Sequence, residues 1–268
     1  MKKSVLIVIL VGMCAFCASV YAEGDEKALA QAAQNPIADM ISLPFQNNVN
    51  MNVGSDDKVQ NVLNIQPVWP FSINEDWNLI TRTILPVISQ PEVIPGDGRT
   101  DGIGDISFTA AFSPTKPTAN GLIWGIGPVL LLPTASDDVL GTEKWGIGPT
   151  AVALRIQGPW VYGALINNIW SFAGDDDRAD VNSMLLQPFL NYNLAGGRYL
   201  TSAPIITANW EADSDNRWTV PIGGGVGQIF RIGKQPINAQ LSGYHNVETP
   251  EGAADWQARL QVQLLFPK

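Results

Sequence analysis

The sequence predicts an all-β fold: a transmembrane antiparallel up-and-down β-barrel of about 12 strands with a short N-terminal helical lead. Three observations support this prediction. Segments of strand length, in which apolar and polar residues alternate, follow one another along most of the chain. Acidic residues concentrate in every second connection between them. The chain is 46% hydrophobic with 9 tryptophans and 15% charged residues, yet beyond its N-terminus it has no apolar run of the ~18 residues that indicates a membrane helix.

Residues 1–22 are predicted to be a secretory signal peptide. Lys2 and Lys3 give a positive start, an apolar stretch follows, and Ala22 provides a small residue at the cleavage site. The alternative is a transmembrane anchor. The apolar stretch is short for an anchor, and acidic residues follow it at once.

Both cysteines, Cys14 and Cys17, lie within this predicted signal. We therefore expect the mature chain to have no disulfide, no thiolate metal site and no cysteine nucleophile.

The next segment, 23–41, reads as a periplasmic lead before a barrel domain at 42–268. Its alanine-rich stretch 26–33 predicts two helical turns, which Asn35 and Pro36 end. This lead is a candidate plug for the periplasmic mouth of the barrel.

The barrel strands are recognised by their two-residue period. In the last one, Trp256, Leu260 and Leu264 alternate with glutamines and one arginine, so one face is apolar and the other polar. Most of the predicted strands are longer than the ~5–6 residues of an average soluble strand and suit the ~9–11 residues of a tilted membrane strand. The predicted strands are 43–53, 59–71, 76–88, 103–113, 121–133, 145–157, 159–172, 182–194, 199–210, 217–231, 236–248 and 256–266.

The connections sort by charge and length. The odd-numbered ones hold most of the chain's 25 acids, whereas the even-numbered ones are mostly shorter and hold one, Glu75. This sorting follows if long acidic loops lie outside an outer membrane and short turns lie in the periplasm. An even strand count then puts both ends of the barrel domain in the periplasm. The odd connections are 54–58, 89–102, 134–144, 173–181, 211–216 and 248–255.

Prolines fall inside most of the predicted strands. Proline cannot donate to a strand ladder, and a closed barrel has no edge strand, so each must mark a bulge, a kink or a strand end. They include Pro67, Pro70, Pro86, Pro128, Pro149, Pro188, Pro204 and Pro221.

Charge limits the partners. With 25 acidic and 16 basic residues, the chain lacks the basic footprint of a nucleic-acid-binding protein. The acidic loops are either simply solvated or bridged by divalent cations to lipopolysaccharide. Asp175, Asp176 and Asp177 are weak metal candidates, because the D-x-D-x-D-G spacing of a calcium loop is missing. We expect no cofactor.

A catalytic site is not expected, so the chain is predicted not to be an enzyme. The single histidine, His245, follows Ser242 by three residues, but there is no G-x-S-x-G element. One histidine without cysteine also makes a zinc site unfavourable. We interpret His245 as a residue of the barrel rim; an outer-membrane lipid hydrolase is the alternative.

Glycine and tryptophan patterns are interpreted structurally. The glycine-rich stretch 223–227 is not followed by a helical pattern, so it indicates strand bending rather than a nucleotide loop. W-G-I-G-P occurs at 124–128 and again at 145–149. Tryptophans near strand ends predict aromatic girdles, with ordinary core tryptophan as the alternative. They are Trp69, Trp77, Trp145, Trp160, Trp170, Trp210, Trp218 and Trp256.

The lumen candidates are polar residues inside strands. An arginine facing lipid at the midplane costs ~2–4 kcal/mol, so the strand arginines should face the lumen or lie near a rim. The polar faces of the last two strands supply the amide candidates. The set is Arg82, Arg155, Arg259, Gln257, Gln261, Gln263, Asn238 and Gln240.

Several motifs along the mature chain resemble one family of bacterial outer-membrane proteins, the "meta-pathway of phenol degradation" family, whose members are often labelled transporters. The resemblance implies an outer-membrane barrel that passes small molecules, aromatic ones among them, and it carries over no substrate-binding residue. The final Pro267-Lys268 departs from the aromatic ending that is usual in such barrels. The motifs are L-N-I-Q-P-V-W-P-F at 63–71, E-D-W-N-L-I-T-R-T-I-L-P-V at 75–87, L-I-W-G-I-G-P at 122–128, W-G-I-G-P-T-A-V-A-L at 145–154 and the ending L-L-F-P-K.

We therefore expect an outer-membrane channel or transporter-like barrel for passive passage of small molecules, hydrophobic or aromatic ones among them. A purely structural barrel and a soluble periplasmic β-protein are the remaining alternatives. The expected partners are outer-membrane lipid, lipopolysaccharide and a small-molecule solute, with no nucleic acid.

Overall fold

The structure is a computed structural model that describes residues 23–92, 96 and 98–267. The predicted signal peptide at 1–22 lies outside these residues. One α-helix, α1 (Glu23–Ala33), precedes the strands and includes the predicted helical stretch. No helix in the described part of the chain is long and apolar enough to cross a membrane.

The rest of the described chain is built from strands and two short 3-10 helices, Asp138–Leu140 and Ser214–Asn216. The strands are β1 (Ile41–Val53), β2 (Lys58–Ile65), β3 (Val68–Ser72), β4 (Trp77–Gln90), β5 (Thr100–Ile103), β6 (Ile106–Pro114), β7 (Leu122–Leu132), β8 (Lys144–Gln157), β9 (Trp160–Gly174), β10 (Asn182–Asn193), β11 (Arg198–Ser202), β12 (Ile206–Asn209), β13 (Trp218–Ile232), β14 (Gln235–Glu248) and β15 (Trp256–Phe266).

These strands close into a twelve-stranded antiparallel barrel, as the sequence predicts. β2 with β3, β5 with β6, and β11 with β12 each form one interrupted wall strand, because both members of each pair share a neighbouring strand. The first and last strands pair along all of β15, from Ile41 opposite Phe266 to Met51 opposite Trp256. Each predicted strand corresponds to one wall strand, and most boundaries agree within one or two residues.

The barrel has two distinct ends. At one, here called the turn end, lie the start of β1, the end of β15 and the short connections 73–76, 115–121, 158–159, 194–197 and 233–234. The other, the loop end, carries the remaining six connections. Among the described residues, the turn-end connections contain only two acids, Glu75 and Asp76, whereas the loops carry acids in every connection. The predicted sorting of charge by side is therefore confirmed.

The two faces of the wall differ in chemistry. Outward side chains at mid-wall are exposed and apolar, among them Ile126, Ile166, Val226, Leu241 and Leu260. Many inward side chains are buried, and they include both polar residues, such as Asn48, Asn238 and Arg259, and apolar clusters. Because a continuous exposed apolar belt is unfavourable in water and suits hydrocarbon, the belt is a lipid-facing surface. The soluble alternative does not account for it.

All nine tryptophans lie near strand ends and form two girdles. Within each girdle, rings pack in pairs: Trp77 with Trp124 at 5.9 Å and Trp160 with Tyr192 at 4.6 Å at the turn end, and Trp210 with Trp218 at 5.5 Å at the loop end. Most of these tryptophans are exposed, which supports the girdle interpretation over ordinary core packing. The turn-end tryptophans are Trp69, Trp77, Trp124 and Trp160; the loop-end ones are Trp145, Trp170, Trp210, Trp218 and Trp256.

The in-strand prolines named above all lie where a ladder is interrupted. Pro67 and Pro204 fall in the breaks between β2 and β3 and between β11 and β12. Pro86 and Pro188 lie in continuous strands, but opposite the breaks in neighbouring ones. Pro70 extends past the single β1–β3 pair, Pro128 and Pro149 lie in unpaired stretches of the β6–β7 and β8–β9 ladders, and Pro221 marks a register shift. Each missing N–H therefore coincides with a missing acceptor.

The glycine-rich part of β13 allows a close approach. A Cβ at Gly227 would lie 2.2 Å from Cζ of Tyr199, which is its cross-strand partner. Tyr199 is 1% exposed, so the absent side chain of Gly227 is the space that the tyrosine ring fills. The stretch is structural, as predicted.

Candidate functional site

Seven of the eight lumen candidates face the interior. Gln257, Arg259, Gln261 and Gln263 alternate along the inner face of β15, and Asn238 and Gln240 do the same on β14. Arg82 faces inward from β4. Six of the seven thus line one cavity, and Gln257 lines a second space together with Arg259.

Arg155 does not belong to the lumen, and its assignment there was wrong. Its neighbours in β8, Val152 and Leu154, are buried on the inner face, so alternation turns Arg155 outward. It lies two residues before β8 ends at Gln157, opposite Tyr162. Near the interface an outward arginine costs only ~0–1 kcal/mol, which explains why this position tolerates it.

The interior contains a cavity of about 150 Å³ in the half of the barrel towards the turn end. One side of it is amide-rich, with residues from β1, β14 and β15, and the other carries Val68, Leu165 and Phe189. The cavity is therefore amphipathic.

The N-terminal segment, defined as residues 23–40, lies inside the barrel at the turn end. Leu29, Ala30 and Met40 pack against Ile229 and Leu265, both buried on the inner face of the wall. This apolar contact places the segment under the cavity, and residues 32–36 line the cavity floor.

Polar contacts fix the same segment to the rim. Gln34 and Asn193 exchange two amide hydrogen bonds of 2.9 and 3.0 Å. Gln31 donates to the carbonyl of Gly158 at 2.9 Å. Asn35 accepts a hydrogen bond from the N–H of Ile37 at 3.0 Å, which turns the chain after α1.

Arg259 is held rigidly near the middle of the lumen. Nε donates to Asn48 Oδ1 at 3.1 Å, Nη1 to the carbonyl of Ala203 at 3.0 Å and Nη2 to Gln257 Oε1 at 2.9 Å. Its guanidinium also lies over the Tyr244 ring at 4.8 Å. The side chain is 3% exposed, so its charge is fixed in position.

A chain of amide hydrogen bonds extends from Arg259 across three further strands. Gln257 donates to Asn50 at 2.9 Å, Asn50 to Gln60 at 2.7 Å, and Gln60 to Gln90. Every link points away from the arginine, so the amides are polarised in one direction by its charge.

Arg82 is held more loosely. It donates to Gln66 Oε1, and Gln66 lies in the break between β2 and β3, where its side chain turns into the cavity. The break in the wall strand therefore provides the acceptor for the arginine. Across the ladder Arg82 lies beside Val68, at the border of the apolar side.

A further buried cluster was not predicted. Tyr199 donates to Asn238 at 2.7 Å, and Asn238 donates to Gln263 at 3.1 Å. Sequence reasoning missed Tyr199, Gln66 and Asn48. The alternation of Tyr199 with Leu200 and Thr201 is a usable signal, but it gives no information on contacts between strands.

A second space, the vestibule, opens towards the loop end with a volume of about 450 Å³. Asn50, Gln60, Gln90 and Glu251 line it together with Arg259. Arg259 also lines the inner cavity, so it stands between the two spaces.

His245 is not placed to activate Ser242. Ser242 is buried on the inner face of β14, whereas His245 is exposed on the opposite face. Its ring stacks on Trp256 at 4.4 Å and its Nδ1 lies 3.1 Å from the carbonyl oxygen of Asp255. Its position is that of a rim residue.

Several loop acids form ion pairs with lysine or arginine side chains. In the part of the chain that the structure describes, all four ion pairs lie at this end, including Arg178 with Glu143 at 3.5 Å and Lys58 with Glu92 at 3.1 Å. A hydrogen bond with Asp138 raises the pKa of Glu143. The backbone N–H of Gly96, together with Lys58, lowers the pKa of Glu92.

Asp175, Asp176 and Asp177 are exposed in one of these loops, and Asp175 accepts a hydrogen bond of 2.8 Å from the N–H of Asp177. Among residues 23–92, 96 and 98–267, no three His, Cys, Asp or Glu side chains are grouped to hold a metal ion.

No protein-family model and no curated protein matches this chain. Among solved structures, the chain is similar to the COG4313 outer membrane channel from Pseudomonas putida F1, with 18% identity over 85% of this chain and 94% of that one, and a TM-score of 0.65. It is also similar to outer membrane phospholipase A from Escherichia coli, with 12% identity over 92% and 99% of the two chains, but with a TM-score of 0.46. The first likeness confirms the fold of an outer-membrane β-barrel; the second is too low to carry an argument.

Proposed function

We propose that this chain is an outer-membrane channel or transporter-like barrel for the passive passage of small molecules. The observation that carries the proposal is a polar interior inside a lipid-facing wall: a vestibule and a cavity that share Arg259. A barrel with a purely structural role needs no such continuous polar space, because eight strands already suffice for an interior filled by side chains.

The two ends of the barrel indicate its orientation. Short turns belong to the periplasmic side and longer loops to the outside in barrels of this kind. The turn end is therefore assigned to the periplasm and the acidic loop end to the cell exterior, with the N-terminal segment on the periplasmic side.

The partners follow from the two surfaces. Outer-membrane lipid surrounds the apolar belt and the girdles. The exposed loop acids suit divalent cations that bridge them to lipopolysaccharide, and loss of lipopolysaccharide co-purification after EDTA washing tests this contact.

The solute includes hydrophobic or aromatic small molecules. Val68, Leu165 and Phe189 supply apolar surface in a cavity whose lining also includes many amide side chains and two arginines. A wall of this mixed character accepts an apolar body while the amides hold polar atoms.

The N-terminal segment acts as a plug in this proposal. It fills the turn end through its contacts with Ile229 and Leu265 and through the Gln34–Asn193 amide pair. Passage then requires the segment to shift or solutes to fit past it.

Planar-bilayer conductance of the refolded protein, with and without residues 23–40, tests the function. We expect a small conductance for the whole mature chain and a larger one after the deletion, because the segment occupies the pore. Ala28→Ser, a change at an exposed position of α1, is the control and should behave as the parent protein does. A folded barrel that conducts no ions in either form would contradict the proposal.

A further inference from the structure

The inner cavity has an unbalanced charge. Its lining residues include two arginines, Arg82 and Arg259, and no aspartate or glutamate. Neither arginine takes part in any of the four ion pairs found within the described residues. Asp39, in the N-terminal segment, is exposed and is not part of the lining. A buried cation is unfavourable unless an anion or several acceptors stabilise it.

The two arginines differ in the number of hydrogen-bond acceptors that they contact. Arg259 has three acceptors and a tyrosine face, so its charge is already stabilised. Arg82 has one hydrogen-bond acceptor among the described residues, Gln66, although a guanidinium carries five N–H donors. Arg82 therefore keeps donors for a ligand that enters the cavity.

The surroundings of Arg82 define the rest of that ligand. Val68 is its cross-strand neighbour, and Leu165 and Phe189 line the same cavity and pack with Val68 on one apolar cluster. A group bound to the guanidinium would thus have an apolar surface beside it. The volume of about 150 Å³ restricts the ligand to a small molecule.

We propose that the cavity binds a small organic monocarboxylate, with its carboxylate on Arg82 and its apolar body against Val68, Leu165 and Phe189. The planar fork of arginine matches a carboxylate in two parallel hydrogen bonds. Arg259 adds a fixed positive field that favours the same charge. This inference rests on the proposed function, since it names the solute class of the channel.

The acidic loops do not reverse this preference. Glu251 lines the vestibule and the other loop acids surround it, so cations accumulate at the outer mouth at low salt. The sign of the charge changes at Arg259, between vestibule and cavity. In about 1 M KCl, where the Debye length is ~3 Å, the loop acids are screened and the selectivity reports the two arginines of the cavity.

Saturation-transfer NMR on the full mature chain in micelles tests the binding. The probes are butyrate, butylammonium and butanol, which share a four-carbon skeleton but are anionic, cationic and neutral. We expect butyrate to bind and the other two to bind clearly less. Arg82→Gln should weaken butyrate binding by about tenfold or more, and Arg82→Lys should weaken it less, because it keeps the charge but not the fork. Arg155→Gln, which removes an outward arginine of the same wall, is the matched control and should change nothing.

Equal binding of butyrate and butylammonium by the parent protein, or unchanged butyrate binding by folded Arg82→Gln, would overturn the proposal. The comparison of butyrate with butylammonium uses the parent protein, so it tests the proposal even if Arg82→Gln does not fold. The NMR experiment measures binding alone, whereas bilayer conductance measures passage. A failure of the binding proposal can therefore be distinguished from a failure of the proposed channel function. In the bilayer, a reversal potential in about 1 M KCl that shows cation preference would also overturn the inference.

Discussion

Arg259 shows how a charged residue is accommodated inside the wall. Its three acceptors come from Asn48 on β1, from Ala203 in a strand break and from Gln257 on its own strand. A buried charge costs several kcal/mol unless its donors are satisfied, so the arrangement requires all three partners at once. At the same scale, Gly227 and Tyr199 form a matched pair in which one residue lacks the volume that the other fills.

Gly227→Ala should destabilise the barrel by about 1–3 kcal/mol, because the new Cβ collides with the Tyr199 ring and displaces its hydroxyl from Asn238. The free energy of unfolding from urea titration in lipid vesicles measures this. Gly243→Ala on the neighbouring strand meets no heavy atom within 4 Å and serves as the control. Equal stability of the two variants would show that the ring accommodates the methyl group.

The carboxyl of Glu143 should titrate at higher pH than that of Glu92. The Asp138 hydrogen bond raises the pKa of Glu143, so its contribution to loop stability is present below its unfolded pKa and is lost as pH rises through its folded pKa. Glu92 has a lowered pKa, so its contribution is present above its unfolded pKa and is lost as pH falls through its folded pKa.

Carboxyl ¹³C NMR against pH, with Glu143→Gln and Glu92→Gln to assign the signals, checks this order. The opposite order of the two midpoints would rule out the Asp138 hydrogen bond as the dominant influence on Glu143.

Interrupted strands are the characteristic elements of this barrel. Two of the breaks, at 66–67 and 203–205, supply acceptors to the arginines, through the Gln66 side chain and the Ala203 carbonyl. Proline is found at these breaks or opposite them, where the neighbouring strand has no ladder carbonyl that requires an N–H donor. Loss of ladder bonds in the wall is thus coupled to gain of polar contacts in the lumen.

Val262→Pro should severely destabilise the barrel, whereas Pro128→Ala should be nearly neutral. Val262 is paired with both Phe45 and Ala239 in continuous ladders, so a proline there removes a bonded N–H and orphans a buried carbonyl, at a cost of about 1–3 kcal/mol before any steric strain. The β6–β7 ladder is already interrupted at Pro128.

Heat-modifiable migration on SDS gels, which distinguishes folded from unfolded barrels, gives the readout for both variants. A folded Val262→Pro barrel of parental stability would show that the ladder is dispensable there.

The whole molecule is organised by the lipid layer that it spans. Its apolar belt lies between two tryptophan girdles, its acids lie beyond one girdle, and its polar side chains face inward. Each is a response to the solvent at that depth, because hydrocarbon, interface and water favour different side chains.

Leu241→Arg should cost about 2–4 kcal/mol of unfolding free energy, and Ile232→Arg only about 0–1 kcal/mol. Both side chains face outward, at 58% and 65% exposure, but Leu241 lies in the middle of β14 while Ile232 ends β13 at the turn end. An arginine near the rim can reach the interface with its charge.

Denaturant titration in vesicles measures the two variants side by side. Equal costs at the two positions would contradict the depth assigned to the belt.

The sequence by itself determined the number of wall strands, their approximate bounds, the sorting of acids to one end and the inward direction of Arg82, Arg259 and the amides of β14 and β15. These properties are local: a two-residue period and the composition of each connection can be read without knowing which strand is the neighbour. The same reasoning could have predicted the outward direction of Arg155. That residue lies near a strand end, however, where the alternating pattern has few residues to support it.

Only the tertiary structure decided which residues meet. The Arg82–Gln66 contact, the amide chain from Arg259 to Gln90, the fit of Tyr199 on Gly227 and the position of the N-terminal segment all depend on register between strands far apart in sequence. A shift by one residue would turn every side chain of a strand to the other face, and only closure of the complete ring fixes all the registers together.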